Sequence, residues 1–285
     1  MVNYFNTLIS VQALQDIGGS TELLVCDCRF RLSEPEAGRK AYEQNHIPGA
    51  IYVDSEKDLS GAVTAQTGRH PLPEFSRWAR MLQSWGVNPA TQVVAYDDSF
   101  GSVAARLWWM CRWAGHQHVA VLDGGLQAWQ RAGKAMDNRV PALRAGSQAY
   151  PQAHDDMWVS TEYVSKSLQD PGITLIDARA EPRFLAIEEP FDTIAGHIPG
   201  AVNIPFEDDL DLDGSFLQAD ALLDEYTEAL GGPINGELVI MCGSGVTACH
   251  NVLALEHAGV TDVKLYAGSW SEWIRHEHLP KVTTG

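Results

Sequence analysis

The sequence predicts an α/β protein made of two tandem domains, each a parallel sheet flanked by helices. Three observations carry that expectation. At 285 residues the chain exceeds one compact core and suits two domains of roughly 150 residues. Short apolar runs ending near Asp alternate with helical stretches, the pattern of parallel strands joined by helices. The chain also repeats itself. Leu23-Leu24-Val25-Cys26-Asp27-Cys28-Arg29 resembles Ile173-Thr174-Leu175-Ile176-Asp177-Ala178-Arg179, and Asn45-His46-Ile47-Pro48-Gly49-Ala50 recurs as Gly196-His197-Ile198-Pro199-Gly200-Ala201. Val93 to Tyr96 is echoed by Leu238 to Met241, and Gly115 and Trp129 return as Gly259 and Trp273. Ordered matches at offsets of 144 to 151 mean duplicated domains, because a solenoid repeats at a far shorter period.

Each element follows from its own residues. LLVCDC and TQVVAYD in the first half, and TLIDA and ELVIMC in the second, are β-rich runs expected to be buried strands. HVAVLDGG and DVKLYAG supply the next strand of each half. Between the last two strands lies a helix: Val103 to Trp113 in the first half, and in the second a stretch with Val246, Cys249, Val252 and Leu253 at three- and four-residue spacing. Gly115 and Gly259 are expected to stop these helices. The polar, Pro-containing, poorly periodic stretch 138–158 reads as a linker between an N-terminal domain, 1–137, and a C-terminal domain, 159–285. Loops at the carboxyl ends of such parallel strands are where function is expected.

Charge and cysteine usage exclude whole classes of function. Twenty Lys and Arg face thirty-seven Asp and Glu, a formal charge of −17 that repels phosphate backbones and anionic lipid heads. Neither nucleic-acid nor membrane binding is expected. No apolar run approaches the roughly 20 residues of a spanning helix, and the N-terminus lacks a charged n-region and an apolar core, so a cytoplasmic protein is expected. The five cysteines, Cys26, Cys28, Cys111, Cys242 and Cys249, form no CxxC pair. A disulfide framework and a zinc site are therefore not expected, and neither is any other metal or a cofactor.

One loop carries the chemistry. Met241-Cys242-Gly243-Ser244-Gly245-Val246-Thr247-Ala248 sets a Cys directly after a strand and directly before a helix. Gly243 and Gly245 let the backbone curl so that amide N–H groups from Gly243 to Thr247 converge on the sulfur. The helix N-terminus adds partial positive charge. Both favour the nucleophilic thiolate, and the same cradle suits an anionic persulfide. The plain alternative is a buried thiol at a strand end followed by a glycine turn.

With the paired HIPGA strings, DGGLQAW in the first half and CGSGVTA in the second, the chain resembles the two-domain sulfurtransferases, comprising rhodanese and 3-mercaptopyruvate sulfurtransferase, over nearly its whole length. The resemblance implies two tandem rhodanese-like domains of which only the C-terminal one is catalytic. The residues agree, because Asp97 or Asp98 stands at the Cys242 position of the first repeat. It also implies a ping-pong cycle: Cys242 takes the outer sulfur of a small anionic donor as a persulfide and yields it to cyanide or to a thiol acceptor such as thioredoxin or glutathione. Ser244 would hydrogen-bond the sulfur or a leaving group, or be a plain turn serine.

Arg183 matches a donor-binding Arg of the family, suited to a carboxylate or sulfonate. Arg179, beside Asp177, reads instead as a structural ion pair. The loop resembles the mercaptopyruvate type, yet Phe191 stands where that type usually has a second Arg. Arg69 could restore the cation, and His70, in a segment the family brings toward the active site, could donate a proton or bind the anion. Either Glu56 or Asp54 lies near a family Asp linked to the serine. His46 and His197 are expected to serve structure, and Cys249 the core. Two rival functions fit the residues less well: a Cys-dependent phosphatase needs Arg six positions after the Cys, where Ala248 stands, and a persulfide carrier would need no donor pocket, against the matches at Arg183 and His70.

Overall fold

Each repeat builds a five-stranded, wholly parallel sheet from the same order of elements. A computed structural model of the chain describes residues 4–143, 146, 150 and 152–283. The first repeat runs β1 (Leu8–Ile9), α1 (Val11–Ile17), β2 (Leu23–Asp27), α2 (Ala37–Gln44), β3 (Ile51–Tyr52), α3 (Phe75–Ser84), β4 (Gln92–Tyr96), α4 (Ala104–Trp113), β5 (Val119–Leu122) and α5 (Gly125–Arg131). The second runs β6 (Trp158–Val159), α6 (Thr161–Ser167), β7 (Ile173–Asp177), α7 (Glu181–Phe184), β8 (Val202–Asn203), α8 (Ala219–Ala229), β9 (Glu237–Met241), α9 (Ala248–His257), β10 (Lys264–Tyr266) and α10 (Ser269–Trp273). The strand orders, β1-β5-β4-β2-β3 and β6-β10-β9-β7-β8, are the same topology twice.

The register repeats as well. Asp27 stands opposite Tyr96, and Asp177 opposite Met241. The residue that follows β4 is therefore Asp97 and the residue that follows β9 is Cys242, which makes Asp97, not Asp98, the counterpart of Cys242. Central strands are buried on both faces, as parallel sheets covered by helices must be. Ser10 and Ser160 cap α1 and α6 alike, accepting from Ala13 N and Tyr163 N. Gly115 and Gly259 follow α4 and α9 at φ 82° and 85°, as the sequence predicts. The second helix begins at Ala248 instead of Val246, because residues 242–247 are spent on the loop.

The molecule divides into two compact units that do not follow the sequence halves strictly. One comprises Met1–Gly61, Pro73–His154 and Leu212–Ser215; the other comprises Ala62–Leu72, Asp155–Asp211 and Phe216–Gly285. Segment 62–72, although it belongs to the first repeat in sequence, packs in the second unit. Of the stretch 138–158, residues 144–145, 147–149 and 151 lie outside the described residues. Its end forms a 3₁₀ turn, Asp155–Met157, and then β6.

Paired features confirm what the repeat implies about structure. Arg29 chelates Asp27 and reaches Asn45 O, while Arg179 chelates Asp177 and reaches Gly196 O, and both ion pairs are deeply buried. Arg179 is thus the structural ion pair expected of it, since its geometry recurs in the repeat that carries Asp97 in place of Cys242. His46 and His197 bond the carbonyls of Tyr42 and Phe184 and stack on those rings, which are structural duties.

The first repeat also shows what its loop holds. The fully buried Asp97 carboxylate accepts from four backbone amides, Ser99, Gly101, Val103 and Ala104, each at 2.8 Å. The loop between strand and helix is an amide cradle closed by its own anion. Asp97→Ala is expected to destabilise the chain by about 3 kcal/mol, because several buried N–H groups lose a charged acceptor. An unfolding midpoint unchanged in urea would contradict that account.

Candidate functional site

The loop Cys242–Thr247 joins β9 to α9, and its glycines are dictated by what surrounds them. Gly245 has φ 77°, and a Cβ there would lie 2.3 Å from Ala267 O. Only glycine satisfies both constraints. Its amide then donates to Cys242 Sγ at 3.2 Å. Gly243 has no side chain, and the space beside it is filled by guanidinium: a Cβ would meet Arg69 Nη2 at 2.9 Å and both Nη atoms of Arg183 at 3.4 Å. Cys242 is 3% exposed, Ser244 and Val246 are buried, and Thr247 is half-buried at the start of α9.

Three elements clasp this loop. The start of α10 grips its backbone, with Trp270 N donating to Cys242 O at 3.0 Å, Ser271 N to Gly243 O at 2.9 Å, and Cys242 N to Ser269 Oγ at 3.1 Å. The same turn holds segment 62–72: Arg69 N donates to Ser271 Oγ at 3.1 Å and Gly68 N to Glu272 Oε2 at 3.3 Å. His70, 4% exposed, consequently lies with Nδ1 2.7 Å from Ser244 Oγ. Behind the loop Cys249 Sγ donates to Gly245 O, consistent with the core position expected of it.

The cations are not bare. Arg183 pairs with Glu189 at 2.8 Å and with Asp192 at 3.3 Å, and Asp192 also pairs with Arg69. Arg179 reaches Glu189 at 3.5 Å. Three guanidiniums, Arg69, Arg179 and Arg183, therefore face three carboxylates, Asp177, Glu189 and Asp192. Burial and the neighbouring Glu189 push the Asp192 carboxyl above its ordinary range, against the pull of Arg69 and Arg183. Phe191 is 47% exposed, with its ring 5.1 Å from the Arg183 guanidinium. It shields one face of that cation.

Cys242, Ser244, the loop glycines, Arg69, His70 and Arg183 thus lie together in the second unit. Asp54 belongs to the first unit, where it accepts from Glu56 N and Lys57 N and pairs with Lys57 and Arg39, and Glu56 is exposed. Sequence reasoning missed Ser269, Ser271 and Glu272, although the GSWSEW string was visible. It also missed the roles of Glu189 and Asp192, whose only signal was acidity beside Arg183. Among the described residues no group of His, Cys, Asp or Glu is arranged to hold a metal ion. No described helix is long and apolar enough to cross a membrane.

Comparison with known proteins agrees with this architecture. Residues 10–132 and 160–276 each match the Rhodanese-like domain. The chain is 47% identical over 279 residues to the "Probable 3-mercaptopyruvate sulfurtransferase" of Pseudomonas aeruginosa, covering 97% of this chain and 98% of that protein. It is 34% identical to the thiosulfate sulfurtransferase of Cricetulus griseus, covering 91% and 87% of the two chains. The solved 3-mercaptopyruvate sulfotransferase SseA of Escherichia coli superposes with a TM-score of 0.81 at 30% identity, covering 94% of this chain and all of that one. Two matching domains, relatives along nearly the whole length and the duplicated sheet all lead to one assignment: the chain belongs to the rhodanese family and is a sulfurtransferase.

Proposed function

We propose that this sulfurtransferase takes its sulfur from 3-mercaptopyruvate, carries it as a persulfide on Cys242 and delivers it to cyanide or to a cytoplasmic thiol such as thioredoxin or glutathione. The observation that carries the reading is the convergence of Arg69 and Arg183 on Gly243, one residue from the Cys242 sulfur. A carboxylate held by two guanidiniums places the donor's thiol near Cys242, and Arg69 supplies the cation that Phe191 does not. All five cysteines are free and buried, which suits a reducing compartment.

The chemistry balances without a cofactor. The Cys242 thiolate attacks the donor sulfur, the sulfur–sulfur bond forms and the sulfur–carbon bond breaks. Pyruvate leaves as an enolate, which needs one proton at carbon. Ser244 Oγ, hydrogen-bonded to His70, supplies a relay for that proton, and the donor's own S–H is its ultimate source. Backbone N–H groups of the 243–247 turn donate to the resulting Cys–S–S⁻ and stabilise its charge, as those of the first-repeat loop do for Asp97. An acceptor thiolate or cyanide then attacks the outer sulfur and regenerates the Cys242 thiolate.

The deciding measurement is kcat/KM for 3-mercaptopyruvate against that for thiosulfate, the donor named for the Cricetulus relative. A ratio above one supports the proposal, and clear preference for thiosulfate overturns it.

Asp192 makes a second, sharper expectation. Ionised, it competes with the donor's carboxylate for Arg69 and Arg183. As pH falls through its raised pKa it becomes neutral and the competition ends, so donor KM should fall toward acid. Asp192→Asn should lower KM about fivefold near neutral pH, the scale of one ~1 kcal/mol charge contact, and flatten that acid limb. A raised KM in this variant would mean that Asp192 serves to position the arginines.

A further inference from the structure

A side chain at left-handed φ is uncommon, and a buried one marks backbone strain that its surroundings maintain. Four described non-glycine residues have positive φ: Phe100, Ala186, Asp262 and Ser269. Ser269, φ 53°, is fully buried and opens α10. Its counterpart in the first repeat is Gly125, φ 57°, which opens α5. The correspondence rests on geometry. The next residue in each repeat donates to the residue that follows the central strand: Leu126 N to Asp97 O at 2.9 Å, and Trp270 N to Cys242 O at 3.0 Å.

Both turns therefore need the left-handed conformation at the same place. The repeat that carries Asp97 in place of Cys242 uses glycine, which adopts it freely, and the repeat with Cys242 uses a residue that resists it. What the serine adds is a hydroxyl with two assigned partners. Oγ donates to Tyr266 O at 2.9 Å and accepts from Cys242 N at 3.1 Å. Glycine offers no such acceptor.

We propose that Ser269 is a positioning residue for Cys242, retained at a strained turn because its hydroxyl holds the Cys242 amide and so sets the direction in which the sulfur projects. Cys242 is then tied at three consecutive groups: its amide by Ser269, its sulfur by Gly245 N and its carbonyl by Trp270 N. Reacting groups need placement within about 0.5 Å, and the amide is the tie nearest the bond about which Cβ and Sγ swing. The strain lies in a fully buried residue that grips the backbone of Cys242. This inference rests on Cys242 being the sulfur acceptor.

Two full-length variants test it. Ser269→Gly keeps the conformation that Gly125 adopts in the other repeat and removes the bond. Ser269→Ala removes the bond and keeps a Cβ at the strained φ. Single-turnover sulfur loading, read by intact mass, is expected to slow about tenfold in both. Steady-state kcat should fall while donor KM stays unchanged, and Ser269→Gly should melt no lower than Ser269→Ala. Wild-type loading in both folded variants, a loss carried by KM, or a loss that only tracks the folded fraction overturns the proposal. Cys242→Ser, run alongside, separates the two ideas. Sulfur uptake by that variant overturns the reading of Cys242 and the role of Ser269 together, whereas normal uptake in the Ser269 variants with none in Cys242→Ser overturns the role of Ser269 alone.

Discussion

Cys242→Ser is expected to leave a folded chain that cannot take up sulfur, with turnover lower by roughly three orders of magnitude or more. A hydroxyl fits where the thiol sits and can accept from Gly245 N as Sγ does. Folding is therefore spared, while oxygen at neutral pH forms no comparable nucleophile and no persulfide. The remaining thiols provide the contrast. Cys26, Cys28 and Cys111 are fully buried, and burial pushes each of their pKa values up, away from the thiolate. Ala at any of them, or at Cys249, should cost stability but spare the chemistry. Intact mass after donor treatment should show one added sulfur on the wild type and none on Cys242→Ser. Near-normal turnover in that variant would remove the basis of the mechanism.

Arg183→Ala is the second large effect expected. Arg183 is mostly buried and pairs with Glu189 and Asp192, so its loss does more than delete a donor contact. It shifts the balance of three cations and three carboxylates by one negative charge, at the place where an anion must bind. A buried, charge-paired contact is worth about 2–5 kcal/mol, so donor KM should rise by roughly thirtyfold or more. Asp192→Asn in the Arg183→Ala background should recover part of that loss by restoring neutrality. Unchanged KM for both donors would assign Arg183 to structure alone.

Much of this is legible in the sequence. The doubled strand endings at Asp27 and Asp177, the two HIPGA turns and the helix-stopping Gly115 and Gly259 recur in sequence because each solves a local problem: a buried ion pair, a tight turn, a left-handed φ. The loop was legible for the same reason. A Cys between a strand and a helix, with glycines after it, is a local pattern whose chemistry depends on its own backbone. Phe191 marks where such reasoning ended. The resemblance placed it at a missing cation and offered Arg69 as the substitute, but did not show that its ring lies against Arg183 or that Arg69, more than a hundred residues earlier, meets Arg183 beside Gly243.

The sequence by itself determined the duplicated α/β sheets, the nucleophile candidate and the kind of loop that holds it, because those follow from short-range periodicity, turn stereochemistry and the covalent neighbours of one Cys. Tertiary structure alone decided that Asp97 fills the first cradle, that His70, already expected near the site, bonds Ser244 in particular, that Glu189 and Asp192 neutralise the arginines, and that Ser269 bears strain beside Cys242. The physical reason is range. Hydrogen bonds and charge pairs act over a few ångströms in space, and the groups they join here lie as much as 204 positions apart in the chain, a separation at which local sequence pattern carries no signal.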